Sequence, residues 1–118
     1  MLPLRISGID IDAALDLYNG ELDTYIYVLK SYYTNTPTAL DKIRSVGEDL
    51  TDYVIAIHGI KSVSAMIGAN DISDRAKELE MMGKAGDRSG ILQKNDRFIM
   101  DVEVLINEIK TFVEKHDD

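Results

Sequence analysis

The sequence contains no cysteine. Disulfide bonds, thiolate metal sites and cysteine nucleophiles are therefore excluded, and the composition is compatible with a reducing compartment. Tryptophan is also absent, only two prolines occur, and six of the aromatic residues are tyrosines. Because β-sandwiches are rich in aromatic strand residues and in turn-forming prolines, this composition favours a helical domain.

Clustered positive charge is missing as well. The chain has 13 basic and 21 acidic residues, giving a formal net charge of −8, and the basic residues form no run. Nucleic-acid binding needs clustered positive charge, so we expect no nucleic-acid partner. No apolar stretch approaches the roughly 20 residues that span a bilayer. The first residues also lack the charged start and apolar block of a signal peptide, so we expect a cytoplasmic protein without membrane insertion.

The pattern that is present is apolar periodicity at helical spacing. No strand-like alternation persists, and the chain contains no internal repeat or low-complexity block. A length of 118 residues is sufficient for one core. We therefore predict that residues 1–118 form a single all-α domain. The predicted architecture is an antiparallel up-and-down four-helix bundle with a short extra N-terminal helix.

Capping and helix-breaking residues set the expected boundaries. Residues 1–9 are expected to be irregular. The first predicted helix comprises residues 11–18, and the second is a long helix that begins at residue 21. The other three comprise residues 53–67, residues 70 to the glycines at 83 and 86, and residues 89–114. Asp10 is the expected cap of the first helix, and Asp49 or Thr51 the cap of the third. Pro37 lies inside the second helix and allows either a kink or a break with a restarted helix.

The last two helices each carry one apolar stripe. In the fourth helix the predicted core residues are Ile72, Ala76, Leu79 and Met82. The charged residues of this helix are expected to lie largely on its other faces, and these are Arg75, Lys77, Glu78 and Glu80. The last stripe starts at Ile91 and Leu92, with Asn95-Asp96 as a potential irregularity. We expect residues 115–118 to be frayed and His116 to be solvated.

The central helix, residues 53–67, has an unusual outer face. Its predicted core stripe consists of Tyr53, Ala56, Ile57, Ile60, Val63, Ser64 and Ile67. His58 falls roughly opposite that stripe, among Val54, Ile55, Lys61, Ser62, Ala65 and Met66. A solvated face would normally carry more charged residues, so this one predicts a docking surface around an exposed imidazole. The alternative is that His58 is an ordinary surface or core residue, which is the commoner role of a lone helical histidine.

Most catalytic sites are excluded by their missing motifs. The chain has no glycine-rich phosphate loop, no Glu-x-x-His pair and no serine nucleophile elbow. With only two histidines, one of them near the end, a metal site is not expected. A neutral imidazole is a nucleophile near pH 7. Lys61, one turn from His58, could offset the charge of a phosphoryl group on that ring. Ser62 and Gly59 are small and would leave room for a partner.

The run from His58 through Lys61 to Gly68 resembles the signature of histidine-containing phosphotransfer (HPt) domains. That signature reads His-x-x-Lys-Gly-Ser, followed by a glycine at the helix end. The resemblance continues outside the motif and covers most of the chain. Its further parts are residues 7–11, residues 76–80, residues 84–87, Asn95 and Phe98.

The resemblance implies a function for these positions. His58 would accept a phosphoryl group from the aspartyl phosphate of a receiver domain, and Lys61 would stabilise it, while Gly68 matches the glycine of the motif. The docking residues would be Val54, Ile55, Gly59, Ser62, Ala65 and Met66. Response-regulator receiver domains are the implied partners, together with a hybrid sensor histidine kinase. The domain would bind no cofactor or metal, because the receiver supplies Mg²⁺, and it would be a transfer intermediate rather than an independent catalyst.

Three positions depart from the family pattern, and two alternative functions stay open. Ser62 replaces the glycine of the motif, Val63 replaces its serine, and Gly59 stands where threonine or a similar residue is usual. Val63 is expected on the core side and Ser62 is small, so docking should survive. One alternative is a helical adaptor that binds receiver domains without accepting a phosphoryl group. The other is a phosphoacceptor domain of a chemotaxis-type kinase.

Overall fold

The computed structural model describes residues 5–117, and these residues contain helices and turns but no β-strand. The five helices are α1 (Ile11–Asp16), α2 (Leu22–Arg44), α3 (Thr51–Met66), α4 (Asn70–Lys84) and α5 (Arg88–Asp117). The all-α fold class is therefore confirmed. Residues 1–4 of the predicted irregular start lie outside the described part, and residues 5–10 are irregular as expected.

The four long helices form a bundle in which each packs against two others. α3 packs against α2 and α4, α5 packs against the same two helices, and α1 packs against α2. One continuous core lies between them. Its largest fully buried side chains are those of Tyr25, Phe98, Leu29, Leu40, Ile43, Ile57, Ile60, Ile67, Leu79, Ile91, Ile109 and Val102. The apolar stripes of the sequence therefore meet in this core, and their burial supplies the main driving force for the fold.

The boundaries of α1 follow from its flanking residues. Oδ1 of Asp10 accepts a hydrogen bond of 3.1 Å from the backbone N–H of Ala13, which confirms the predicted cap. The helix ends at Asp16 rather than at residue 18. The chain instead turns through Asn19 and Gly20, whose φ angles are 56° and 74°. The C-cap Leu17 still has helical dihedral angles, so the helix ends two residues before the predicted boundary, and the left-handed Asn19-Gly20 pair closes the segment as predicted.

At the start of α3, the predicted caps behave differently from each other. Leu50 occupies the cap position, and Oδ1 of Asp49 accepts a hydrogen bond of 2.9 Å from the backbone N–H of Thr51. Thr51 is the first helical residue, so its prediction as a cap is wrong. The carboxylate of Asp49 satisfies one backbone donor at the helix start, which is the purpose of a cap.

Gly68 ends α3 and also holds α1 in place. Its φ angle is 83°, and the backbone N–H groups of Gly68 and Ala69 donate to the carbonyls of Ala65 and Ser64 in a Schellman pattern. A Cβ atom at Gly68 would lie 2.6 Å from the carbonyl oxygen of Asp10. The predicted C-terminal glycine is therefore confirmed, and it additionally allows the start of α1 to approach closely.

Neither of two potential interruptions of the long helices occurs. α2 continues through Pro37, whose side chain faces solvent, so the helix is neither broken nor restarted there. α5 continues through Asn95, which is buried. Asn95 accepts a hydrogen bond of 2.9 Å from the hydroxyl of Tyr53 and donates one of 2.7 Å to the carbonyl of Ile43. This polar residue interrupts the apolar stripe because it joins α5 to α3 and to the end of α2.

The structure also corrects the ends of the α5 stripe. Leu92 is exposed, so only Ile91 of the predicted pair is buried. The residues expected to be frayed are helical up to Asp117, while Asp118 lies outside the described residues. The exposed ring of His116 stacks against that of Phe112 one turn earlier, with 6.3 Å between the ring centres. This contact and the lack of a helix breaker explain the extension.

Candidate functional site: His58 and its carboxylate partner

The centre of the candidate site is His58 on the outer side of α3. Its side chain is 58% exposed, and its Nδ1 atom lies 2.5 Å from Oε2 of Glu80 on α4. The other ring nitrogen, Nε2, has no hydrogen bond to the described protein residues. The imidazole is therefore anchored on one side by a carboxylate and is reachable from solvent.

Glu80 is the residue of this site that the sequence interpretation missed. The helical wheel predicted that Glu80 would lie largely away from the core face, but its side chain is only 5% exposed. Nζ of Lys61 donates to Oε1 of Glu80 at 2.6 Å, and Nζ of Lys84 lies 3.6 Å from Oε2. A buried carboxylate is tolerated here because three cationic or hydrogen-bonding groups surround it.

The surroundings of Glu80 also fix its ionisation. The pKa of the Glu80 carboxyl is lowered to about 2, although burial acts in the opposite direction. The largest cause is the hydrogen bond from Lys61. The hydrogen bond from His58 and the positive charges of Lys61 and Lys84 act in the same direction. Near neutral pH this side chain is thus a carboxylate, which can only accept hydrogen bonds. Nδ1 of His58 must therefore donate to it. In the neutral imidazole this leaves the lone pair on Nε2, the nitrogen that faces away from Glu80.

Close packing of α3 against α4 brings Glu80 under His58. A Cβ atom at the buried Gly83 would lie 2.6 Å from Cγ2 of Val54, so a larger residue would force a shift at this contact. At the other end of α4, Oγ of Ser73 donates to the carbonyl of Lys61 at 2.9 Å. Ala76 lies between these two contacts and is completely buried.

These small residues carry the signal that could have identified Glu80. Ser73, Ala76 and Gly83 recur at helical spacing on the same face as Glu80. A stripe of small residues indicates that another helix approaches closely. A carboxylate inside such a stripe must then face that neighbouring helix and needs a partner on it.

The other residues predicted for this site occupy two different environments. Ile55, Gly59, Ser62, Ala65 and Met66 are exposed on α3, as predicted for a docking surface. Val54 is only half-exposed because it packs against Gly83 of α4. Oγ of Ser62 donates to the backbone carbonyl of His58 at 3.1 Å.

Val63 corrects the predicted core stripe of α3. Its side chain is 38% exposed rather than buried. It lines an apolar groove of about 260 Å³ between α2 and α3, together with Val28, Ser31, Tyr32, Asn35, Thr36, Ala39, Gly59, Ile60, Met66 and Ile67. The apolar surface next to His58 on α3 is therefore larger than the helical wheel predicted.

Two further features of residues 5–117 bear on the function. No group of three or more His, Asp or Glu side chains in this part of the chain is arranged to hold a metal ion. None of its helices combines the length and apolar character needed to cross a membrane. Among these residues, Lys61 and Lys84 are the lysines that pair with Glu80, the carboxylate partner of His58.

No family model, curated protein or solved structure matches this chain significantly.

Proposed function

We propose that this domain is a histidine phosphotransfer domain of a phosphorelay. In this proposal His58 accepts a phosphoryl group from an aspartyl phosphate on a response-regulator receiver domain and passes it to another receiver. The observation that carries the proposal is the exposed imidazole of His58, whose Nδ1 is bonded to the buried carboxylate of Glu80 at 2.5 Å. This arrangement orients the ring and leaves Nε2 available for reaction.

The transfer step follows from this tautomer. The lone pair on Nε2 of His58 attacks the phosphorus atom, an N–P bond forms, and the P–O bond to the aspartate of the donor breaks. The electron pair of the broken bond leaves with the donor aspartate, which becomes a carboxylate. Positive charge develops on the imidazole, and Glu80 stabilises it through the hydrogen bond from Nδ1. Passing the phosphoryl group to a second receiver reverses these steps.

Lys61 has two proposed contributions. Its ammonium group offsets negative charge near His58, and its 2.6 Å hydrogen bond holds the second oxygen of Glu80. The domain itself is proposed to bind no cofactor. Mg²⁺ would be brought by the receiver, so transfer depends on positioning and charge stabilisation.

The surroundings of His58 support docking of a folded partner. Ile55, Ala65 and Met66 are exposed on the same helix, and the groove between α2 and α3 continues this apolar surface. Exposed apolar surface of this kind is typical of protein-binding sites. A receiver domain is the proposed occupant, and a hybrid sensor histidine kinase is a further source of such a domain.

The finer architecture and the cellular location belong to the same proposal. We infer an antiparallel up-and-down bundle of α2 to α5, with α1 as the short extra helix. In support, Tyr25 near the start of α2 donates to the carbonyl of Ile67 after α3, and Val54 near the start of α3 contacts Gly83 near the end of α4. A cytoplasmic location is proposed because receiver domains act there.

The test is transfer of labelled phosphate from a phosphorylated receiver domain. We expect label on the wild type and on His116→Gln, but none on His58→Gln. His116 is the matched control because it is the other histidine of the chain and is also exposed. Binding of the receiver without any transfer of label would instead favour the adaptor function. Label on His58→Gln at the wild-type level would refute the assignment.

A further inference from the structure

The same site contains a second lysine that the sequence did not single out. Nζ of Lys84 lies 3.6 Å from Oε2 of Glu80, the oxygen that also contacts Nδ1 of His58. This separation is longer than a normal hydrogen bond. The side chain of Lys84 is 64% exposed. Lys84 is therefore only loosely held at the edge of the site.

Lys61 is held much more firmly. Its Nζ atom lies 2.6 Å from Oε1 of Glu80, and its side chain is 27% exposed. Removing this hydrogen bond would leave one oxygen of a buried carboxylate without its closest partner, which is unfavourable. We therefore expect Lys61 to stay with Glu80 when His58 carries a phosphoryl group.

The two lysines approach His58 from different helices, Lys61 from α3 and Lys84 from the end of α4. Lys61 comes one turn after His58 on the same helix. Lys84 lines a surface recess together with Val54 and Ile55, which come one turn before His58. A phosphoryl group on Nε2 would bring about two negative charges and three acceptor oxygens. Glu80 offers Lys84 one charge, already shared with two closer partners, so the flexible Lys84 side chain would favour the phosphoryl group.

We propose that Lys84 is the cation that directly contacts the phosphoryl group on His58, whereas Lys61 positions Glu80. This inference depends on the proposed phosphotransfer function and assigns a different role to each of the two lysines. It predicts that the charge of Lys84, which acts on Glu80 in the unphosphorylated protein, acts mainly on the phosphoryl group once His58 is phosphorylated.

The test is a pH titration of the phosphoryl group. The wild type, Lys84→Ala, Lys84→Arg, Lys61→Ala and Lys77→Ala would be phosphorylated with potassium phosphoramidate and followed by ³¹P NMR. A nearby cation favours the doubly charged phosphoryl group, so Lys84→Ala should raise its pKa by about 0.5 pH unit. Lys84→Arg keeps the charge and should titrate like the wild type. Lys77→Ala is the control, because Lys77 is exposed on α4 and lines a different surface with Asp74 and Glu78.

The outcomes separate this inference from the proposed function. If the phosphoryl group has the same pKa in Lys84→Ala as in Lys77→Ala, but a shifted pKa in Lys61→Ala, then Lys61 makes the contact and the inference is wrong. If the wild type carries no phosphoryl group on His58, the proposed function itself fails. Circular dichroism of each variant checks that the helical fold is retained.

Discussion

Nδ1 of His58 and Oε2 of Glu80 lie 2.5 Å apart, although 22 residues separate them in the chain. The contact joins α3 to α4 and selects one tautomer of the imidazole. It is therefore a structural contact and, in the proposed function, a functional one.

Glu80→Gln retains the shape of the side chain and removes its charge. We expect phosphorylation of His58 by potassium phosphoramidate to slow about tenfold, because charge-assisted hydrogen bonds are stronger than neutral ones. Glu78→Gln is the matched control, since Glu78 is exposed on the same helix and pairs with Lys94. ¹⁵N NMR should detect hydrogen on Nδ1 in the wild type and a mixture of tautomers in Glu80→Gln. Equal rates for the wild type and Glu80→Gln would contradict this role.

Acid should weaken the fold through Glu80. The folded state holds the pKa of this carboxyl at about 2, below its ordinary value of 4.5. Between these two values the unfolded chain binds more protons, so the free energy of unfolding rises with pH. The contribution of Glu80 is thus fully present above pH 4.5 and is lost as the pH falls through 2. Urea unfolding at several pH values should therefore show that the free energy of unfolding falls more steeply with decreasing pH for the wild type than for Glu80→Gln. Parallel curves would show that Glu80 is not ionised as described.

The contact between Gly83 and Val54 should be sensitive to one methyl group. A Cβ atom at Gly83 would lie 2.6 Å from Cγ2 of Val54, so Gly83→Ala should lower the free energy of unfolding by about 1–3 kcal/mol. Adding Val54→Ala should restore part of this loss. Gly59→Ala is the control, because nothing lies within 4 Å of its Cβ position, and it should stabilise the domain by about 0.5–1 kcal/mol. If Gly83→Ala and Gly59→Ala changed the free energy of unfolding by the same amount, the close approach of α3 and α4 would be refuted.

A charge placed on the apolar surface beside His58 should weaken docking of a receiver domain without changing the reactivity of His58. Met66→Glu is expected to weaken binding of a receiver domain about tenfold, because a desolvated charge would enter the interface. Its reaction with the small donor phosphoramidate should be unchanged. Met100→Glu on α5 is the control, since Met100 is also exposed and lies on a different helix. Calorimetric titration that gives the same affinity for both variants would place the interface elsewhere.

The sequence predicted the fold class because apolar periodicity and caps are local signals. Asp10 and Gly68 were identified by their position at helix ends, and the structure places both there. The environments of Glu80 and Val63 were not predicted, because they depend on how closely neighbouring helices approach. A helical wheel treats a glutamate as solvated, and it cannot show that Lys61 and His58 satisfy Glu80 from another helix.

The most direct test of the central claim is to locate the phosphoryl group on the phosphorylated protein by ³¹P NMR and mass spectrometry. We predict a single phosphoryl group on Nε2 of His58, labile in acid and stable in base. A phosphoryl group on Nδ1, or an acid-stable one on Ser62 or Ser64, would contradict the account.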